Sequence, residues 1–204
     1  MRAIEQLSRL HSRCRKQRGV AAVEFALVAL VFFLLFFGIV ETARAMYIIN
    51  TLQEVTRRAA MLAANADFSK EAVMQKVRER AIFRDSPGFL VFTQPVTDRH
   101  IAIDYMWIRK TGNSLAMVPI LSGSLPASPE VNFANCQGNP YSDRCIRLVR
   151  VRVCETSSAD DCEQVGYQNL VSMVPFTFGL PASVTVVPAE TLGLPAGVAP
   201  CECI

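Results

Sequence analysis

Histidine and tryptophan are nearly missing from this 204-residue sequence: His11 and His100 are the only imidazoles and Trp107 the only indole. Histidine-centred general acid–base catalysis and His-rich metal centres therefore have almost nothing to be built from. The Gly-x-Ser-x-Gly nucleophile elbow, the phosphate-cradling glycine loop and the His-Glu-x-x-His zinc helix are all absent. The cysteines include no Cys-x-x-Cys pair, so zinc finds no ligand set. The acidic group Asp160, Asp161 and Glu163 lacks the spacing of a calcium loop and reads as a solvated turn. His100 has no local partner for a Cys–His pair, and Trp107 reads as a core residue. No nucleic-acid module and no internal repeat is visible. The expectation is a non-enzymatic protein with no catalytic residue, no cofactor, no metal and no nucleic-acid partner.

Charge is scarce in one long stretch. From Val20 to Val40 only Glu24 is charged, among Phe, Leu, Val, Ile and Ala. As a helix this run measures about 31 Å, the thickness of a hydrocarbon core. The first nineteen residues carry Arg2, Arg9, Arg13, Arg15, Lys16 and Arg18 against Glu5, or about +5; with +3 overall, the rest is about −2. That asymmetry orients a single span with residues 1–19 in the cytoplasm and the remainder outside. The cysteines divide the same way: Cys14 precedes the span, whereas Cys136, Cys145, Cys154, Cys162, Cys201 and Cys203 follow it. An oxidising exterior suits disulfides. Sequence proximity favours Cys136 with Cys145 and Cys154 with Cys162; Cys201 and Cys203 pair with either set or with each other.

Past the span, residues 41–64 contain neither Gly nor Pro. Ala45, Ile48, Leu52, Val55, Ala59 and Leu62 recur at a 3-4-3-4-3 spacing, a stripe that covers a domain core or packs on a partner helix. Asn65-Ala66-Asp67 ends the pattern. A second helix is expected from a Ser69 cap, with Glu71 in its first turn, to about residue 84. Strands are then expected over 89–93, 99–109, 115–121, 147–154, 170–178 and 182–187, with a turn at 111–114 and loops over 122–140 and 156–164. The predicted fold is α+β: one transmembrane helix extended into a long amphipathic helix, a second helix and a disulfide-bearing antiparallel β-rich domain. Its segments are a leader (1–19), a membrane span (20–40), a helical extension (41–65) and an exported domain (66–204).

Glu24 is the anomaly. An ionised group costs roughly 2.5–3.5 kcal/mol at the bilayer centre on insertion scales, and less near an interface. If the chain were cut between Gly19 and Val20, Val20 would carry a new cationic amine. Glu24 lies at i+4 from it, on the same helix face and about 6 Å away. That carboxylate would neutralise its own ammonium or that of a neighbouring helix.

These residues resemble a type IV prepilin processing site: a glycine, then an apolar segment with glutamate at the fifth mature position. The Glu24-Phe25 pair, the Arg-Gly-x-Ala-Ala-x-Glu-Phe-Ala-Leu run from Arg18, and Phe37-Gly38-Ile39-Val40-Glu41-x-x-Arg44-Ala45 are more specific. Together, over residues 17–62, they resemble the TadE-like family, minor pilins or pseudopilins of the tight-adherence (Tad/Flp) pilus system. The resemblance implies that Gly19 precedes the cut, that Val20 is the first mature residue and that Glu24 serves processing or subunit packing. It further implies a membrane aspartic prepilin peptidase, a major Flp-type pilin, a second minor pilin, an inner-membrane platform and membrane lipid as partners. Localisation would be the inner membrane, with the C-terminus periplasmic and entry into the pilus open. Two other readings stand beside it: an uncleaved bitopic scaffold, and a periplasmic binding protein or enzyme released after Ala45 at the small-x-small site Ala43-Arg44-Ala45.

Overall fold

The computed structural model describes residues 2–91, 94–155, 161–171 and 177–193, with backbone only for 2–18. The elements run α1 (Arg2–Asn65), α2 (Glu71–Ala81), β1 (Ile101–Thr111), β2 (Ser114–Pro119), α3 (Pro129–Gly138), β3 (Leu148–Val153) and β4 (Val184–Pro188). The α+β class is as expected from the sequence. The chain divides into two compact units: α1 up to Ala45 with a short segment starting at Asn169, and the remainder from Met46.

In the first unit, α1 from Gly19 onward is the one described helix long and apolar enough to cross a membrane. Its apolar side chains face outward on every side, the pattern of a helix whose solvent is lipid. The rings of Phe33 and Phe37 stack one turn apart at 5.9 Å, as i,i+4 neighbours do. At its end Glu41 is fully buried. Its Oε1 accepts the Leu170 backbone N–H at 2.9 Å and lies 3.4 Å from the Arg44 guanidinium. A buried carboxylate needs such donors, because losing water costs more than a lone ion pair returns.

In the second unit the sheet is antiparallel throughout, in the order β2-β1-β3-β4. Val149, Val151 and Val153 alternate onto the buried side of β3 opposite Tyr105, Ile103 and Ile101. Such β-branched alternation is what a half-buried strand requires. Tyr105 packs its ring 5.3 Å from Phe68, and its hydroxyl donates to Met74 Sδ, tying β1 to α2. The later part of α1 hides Ile48, Leu52, Val55 and Ala59. Thr56 bonds Ser183 at 3.1 Å and accepts from Thr185 of β4 at 3.0 Å. The stripe drifts by its end: Ala60, Ala63 and Ala64 are buried there, whereas Leu62 is half-exposed. Small residues in the last turns allow close approach to the chain that follows, where Leu192 N–H bonds Ala64 O at 3.1 Å.

Several expected boundaries move, each for a local reason. The second helix starts at Glu71 with Lys70 as cap residue. Ser69 is occupied elsewhere: its N–H and Oγ both donate to Asp67 Oδ1, forming an Asx turn. The helix ends at Ala81, before Phe83 takes φ +61°. The strand expected at 89–93 is only a bridge from Phe89 to Thr97 in the described residues. The first strand starts two residues late because residues 98–100 form a 3-10 turn. At 111–114 the turn is as expected, with Gly112 at φ +60° on the first central position of a two-residue hairpin. The expected loop 122–140 contains α3. Ser128 caps it by accepting the Val131 N–H, and Pro129 opens it. Those two residues signal a helix start, because proline opens a helix at its first position as well as ending one. Of the strand expected at 170–178, the described residues form no ladder. Instead Gly166 bridges Gly179, and Tyr167 stacks on Phe178 at 4.7 Å. Trp107 is half-buried on β1, paired with Val118.

Candidate functional site

Gly19, Val20, Glu24 and Phe25 all lie on α1, in regular helix and exposed. A Cβ built on Gly19 meets no described atom within 4 Å. Glycine in a helix interior costs about 1 kcal/mol relative to alanine. Among the described residues nothing requires that cost at position 19. Val20 and Glu24 share a face one turn apart. Phe25 is 76 % exposed, the most exposed large apolar side chain of the span. What the segment offers is an unobstructed glycine, a carboxylate and a continuous apolar surface, all open to an external partner.

Ala43-Arg44-Ala45 is different. It lies within α1, which continues unbroken to Asn65, and Ala45 is buried.

In the second unit Cys136 bonds Cys145 and Cys154 bonds Cys162. The first bridge fastens α3 to the segment preceding β3; the second joins Cys154, just after β3, to Cys162. Cys201 and Cys203 lie outside the described residues, as does Asp160. Asp161 turns its carbonyl to Arg152 at 3.3 Å, and its carboxylate accepts the Cys162 N–H. Among the described residues no three His, Cys, Asp or Glu side chains converge as a metal site.

The sequence reading did not single out a polar cluster on the outer face of the sheet. Asp104 Oδ2 lies 3.0 Å from both Arg150 Nε and Arg152 Nη2, so one carboxylate serves two guanidiniums across β1 and β3. Arg152 is buried, and its charge is tolerated because it is paired. The signal was the alternation of Arg150 and Arg152 with valines opposite Asp104. Burial pushes the Tyr105 hydroxyl well above its ordinary value. The exposed Glu130 carboxyl is held below the usual range by a hydrogen bond from Ser128.

The arrangement is an exposed apolar helix carrying one carboxylate, continuous with a helix whose later part covers a disulfide-stapled α+β unit. Residues 19–61 match the model of the TadE-like protein family, the family that the motif around Glu24 resembles. No curated protein and no solved structure matches the chain.

Proposed function

We propose that this chain is a non-enzymatic minor pilin or pseudopilin of Tad (Flp) pilus assembly. A prepilin peptidase removes residues 1–19 at the cytoplasmic face of the inner membrane. The new Val20 ammonium is then met by Glu24, on the same helix or on a neighbouring one. The exposed surface of residues 20–40 packs first in lipid and then against the major Flp-type pilin and another minor pilin. The inner-membrane platform holds the subunit during assembly, and the α+β unit lies in the periplasm.

The observation that carries this reading is the pairing of an unobstructed Gly19 with Glu24 on a helix whose apolar surface is wholly outward. A plain anchor needs neither residue, and both carry a free-energy cost there. Release after Ala45 would require unwinding the middle of α1 and would divide a buried stripe.

N-terminal sequencing of the mature protein tests it. A start at Val20 is expected. An uncut N-terminus would mean a permanent bitopic scaffold, and a start at Met46 a released periplasmic protein; either result ends the pilin reading.

A further inference from the structure

Two neighbouring features of the second unit have no role in the reading above. A groove of about 520 Å³ runs beside α1, lined by Tyr47, Phe83, Leu90 and Val91 together with the polar Asn50, Thr51 and Glu54 of α1. Phe83 also forms one wall of a second hollow of about 310 Å³, whose other walls are Arg58, Arg80, Arg84 and Asp85. The Arg58 guanidinium lies over the Phe83 ring, 5.0 Å from its centroid. Among the described residues no carboxylate lies within 4 Å of Arg58, Arg80 or Arg84. Three guanidiniums against one aspartate leave the hollow cationic, and the groove beside it is mainly apolar, with Glu54 its one carboxylate, and about half exposed at Phe83 and Val91. Phe83 holds a left-handed backbone that is costly for an aromatic residue, which presents its ring between the two hollows.

The complementary chemistry lies on the same unit. On α3, Glu130 and Phe133 are exposed and three residues apart, so they share a helix face. Phe133 is 58 % exposed. Glu130 is within electrostatic reach of Asp67 and Lys70, just before the start of α2. Arg80 lies in the last turn of α2, and Arg84 follows three residues beyond its end. The eleven residues of α2 span about 16 Å, so the acidic and basic patches of one copy are too far apart to pair. Copies placed head to tail along α2 bring them together.

We infer that Arg58, Arg80 and Arg84, with the groove beside Phe83, receive Glu130 and Phe133 of a second copy of this chain. The carboxylate enters the arginine hollow and the aromatic ring fills the groove. Such a contact is heterologous: each copy keeps one free acidic and one free basic end, so it propagates rather than closing at a dimer. The inference rests on the assembly reading for its context but uses a surface other than the apolar helix.

Two differently tagged full-length chains, co-expressed and extracted in detergent, test it. The chain should capture its partner, and R80E/R84E and E130R should each lower self-capture at least about tenfold. Mixing R80E/R84E with E130R should restore capture, because opposite charges again meet. F133S should lower it as well, with the far-ultraviolet dichroism of the wild type. A Val91→Cys chain and a Phe133→Cys chain should form a disulfide-linked pair when mixed, since both positions are exposed. Equal capture by all variants, or no cross-link, overturns the inference. So does loss of binding to vesicles containing phosphatidylglycerol in R80E/R84E with self-capture unchanged, which would make the hollow a lipid site. N-terminal sequencing in the same strains separates the two proposals: normal cleavage with no charge-dependent capture removes the interface alone, and charge-dependent capture without cleavage removes the prepilin reading alone.

Discussion

Between Val20 and Val40, α1 exposes Phe25, Val28 and Ile39; between Ile48 and Ala64 the same helix hides Ile48, Val55 and Ala59 completely. Both stretches are rich in apolar residues and both are helical throughout. They differ in pattern. The first is apolar on all faces and is covered by none of the described residues, the pattern of a helix suited to lipid or to other chains. The second is apolar along one stripe, with Glu54, Arg57 and Arg58 off it, and its stripe is covered by the chain's own domain. A helix surface is thus assigned to an external or an internal partner by how far around the axis its apolar residues extend.

The contrast breaks most sharply at the start of the first stretch. Gly19→Val should leave the precursor uncut, read as the retained mass of residues 1–19, and so abolish pilus assembly. Gly19→Ala separates the causes: it should favour the helix by about 1 kcal/mol, so any loss of cleavage would come from the processing enzyme. Glu24→Ala should leave membrane insertion intact and impair cleavage or assembly; normal piliation in that strain would make the carboxylate incidental.

Core truncations come next. Leu52→Ala should cost about 2–5 kcal/mol in urea unfolding of the second unit. Leu30→Ala, in the outward stretch, should leave that transition unchanged. Equal effects at the two positions would dissolve the distinction between the stretches.

Reduction of the two disulfides has a smaller effect per bond. They join cysteines nine and eight positions apart. Closing such short loops is worth about 2.5 kcal/mol each in the chain-entropy model. Urea midpoints with and without reductant measure the sum.

Alkaline pH has the smallest effect. Tyr105 is raised in the folded state, so the unfolded chain releases its proton first. The stability it protects is fully present below its ordinary value of about 10 and is lost as pH rises beyond it. Tyr105→Phe should flatten that alkaline decline; an unchanged slope would exclude the buried hydroxyl as its source.

Some of this was open to reading along the chain, because local pattern carried it. The 3-4 spacing of Ile48, Leu52 and Val55, the alternation of Val149, Val151 and Val153, and the Gly112 hairpin are decided by neighbours a few positions away. The same holds for the pairing of Cys136 with Cys145, where closeness in sequence limits the partners. α3 was hidden because proline and glycine both break and bound helices, and only the Ser128 cap distinguishes the two uses. The match over residues 19–61 follows the legible part of α1, whereas the domain beyond has no matching solved structure.

The amino-acid sequence by itself determined a membrane-length apolar helix with one carboxylate, its basic leader, the α+β class and the nearest disulfide partners, since each depends on composition or short spacing. Tertiary structure alone decided that Glu41 is buried beneath the Leu170 amide, that Asp104 binds two arginines, and that Arg58 joins Arg80 and Arg84 around Phe83. Those groups are brought together by chain segments far apart in sequence, and no local periodicity encodes which of them meet.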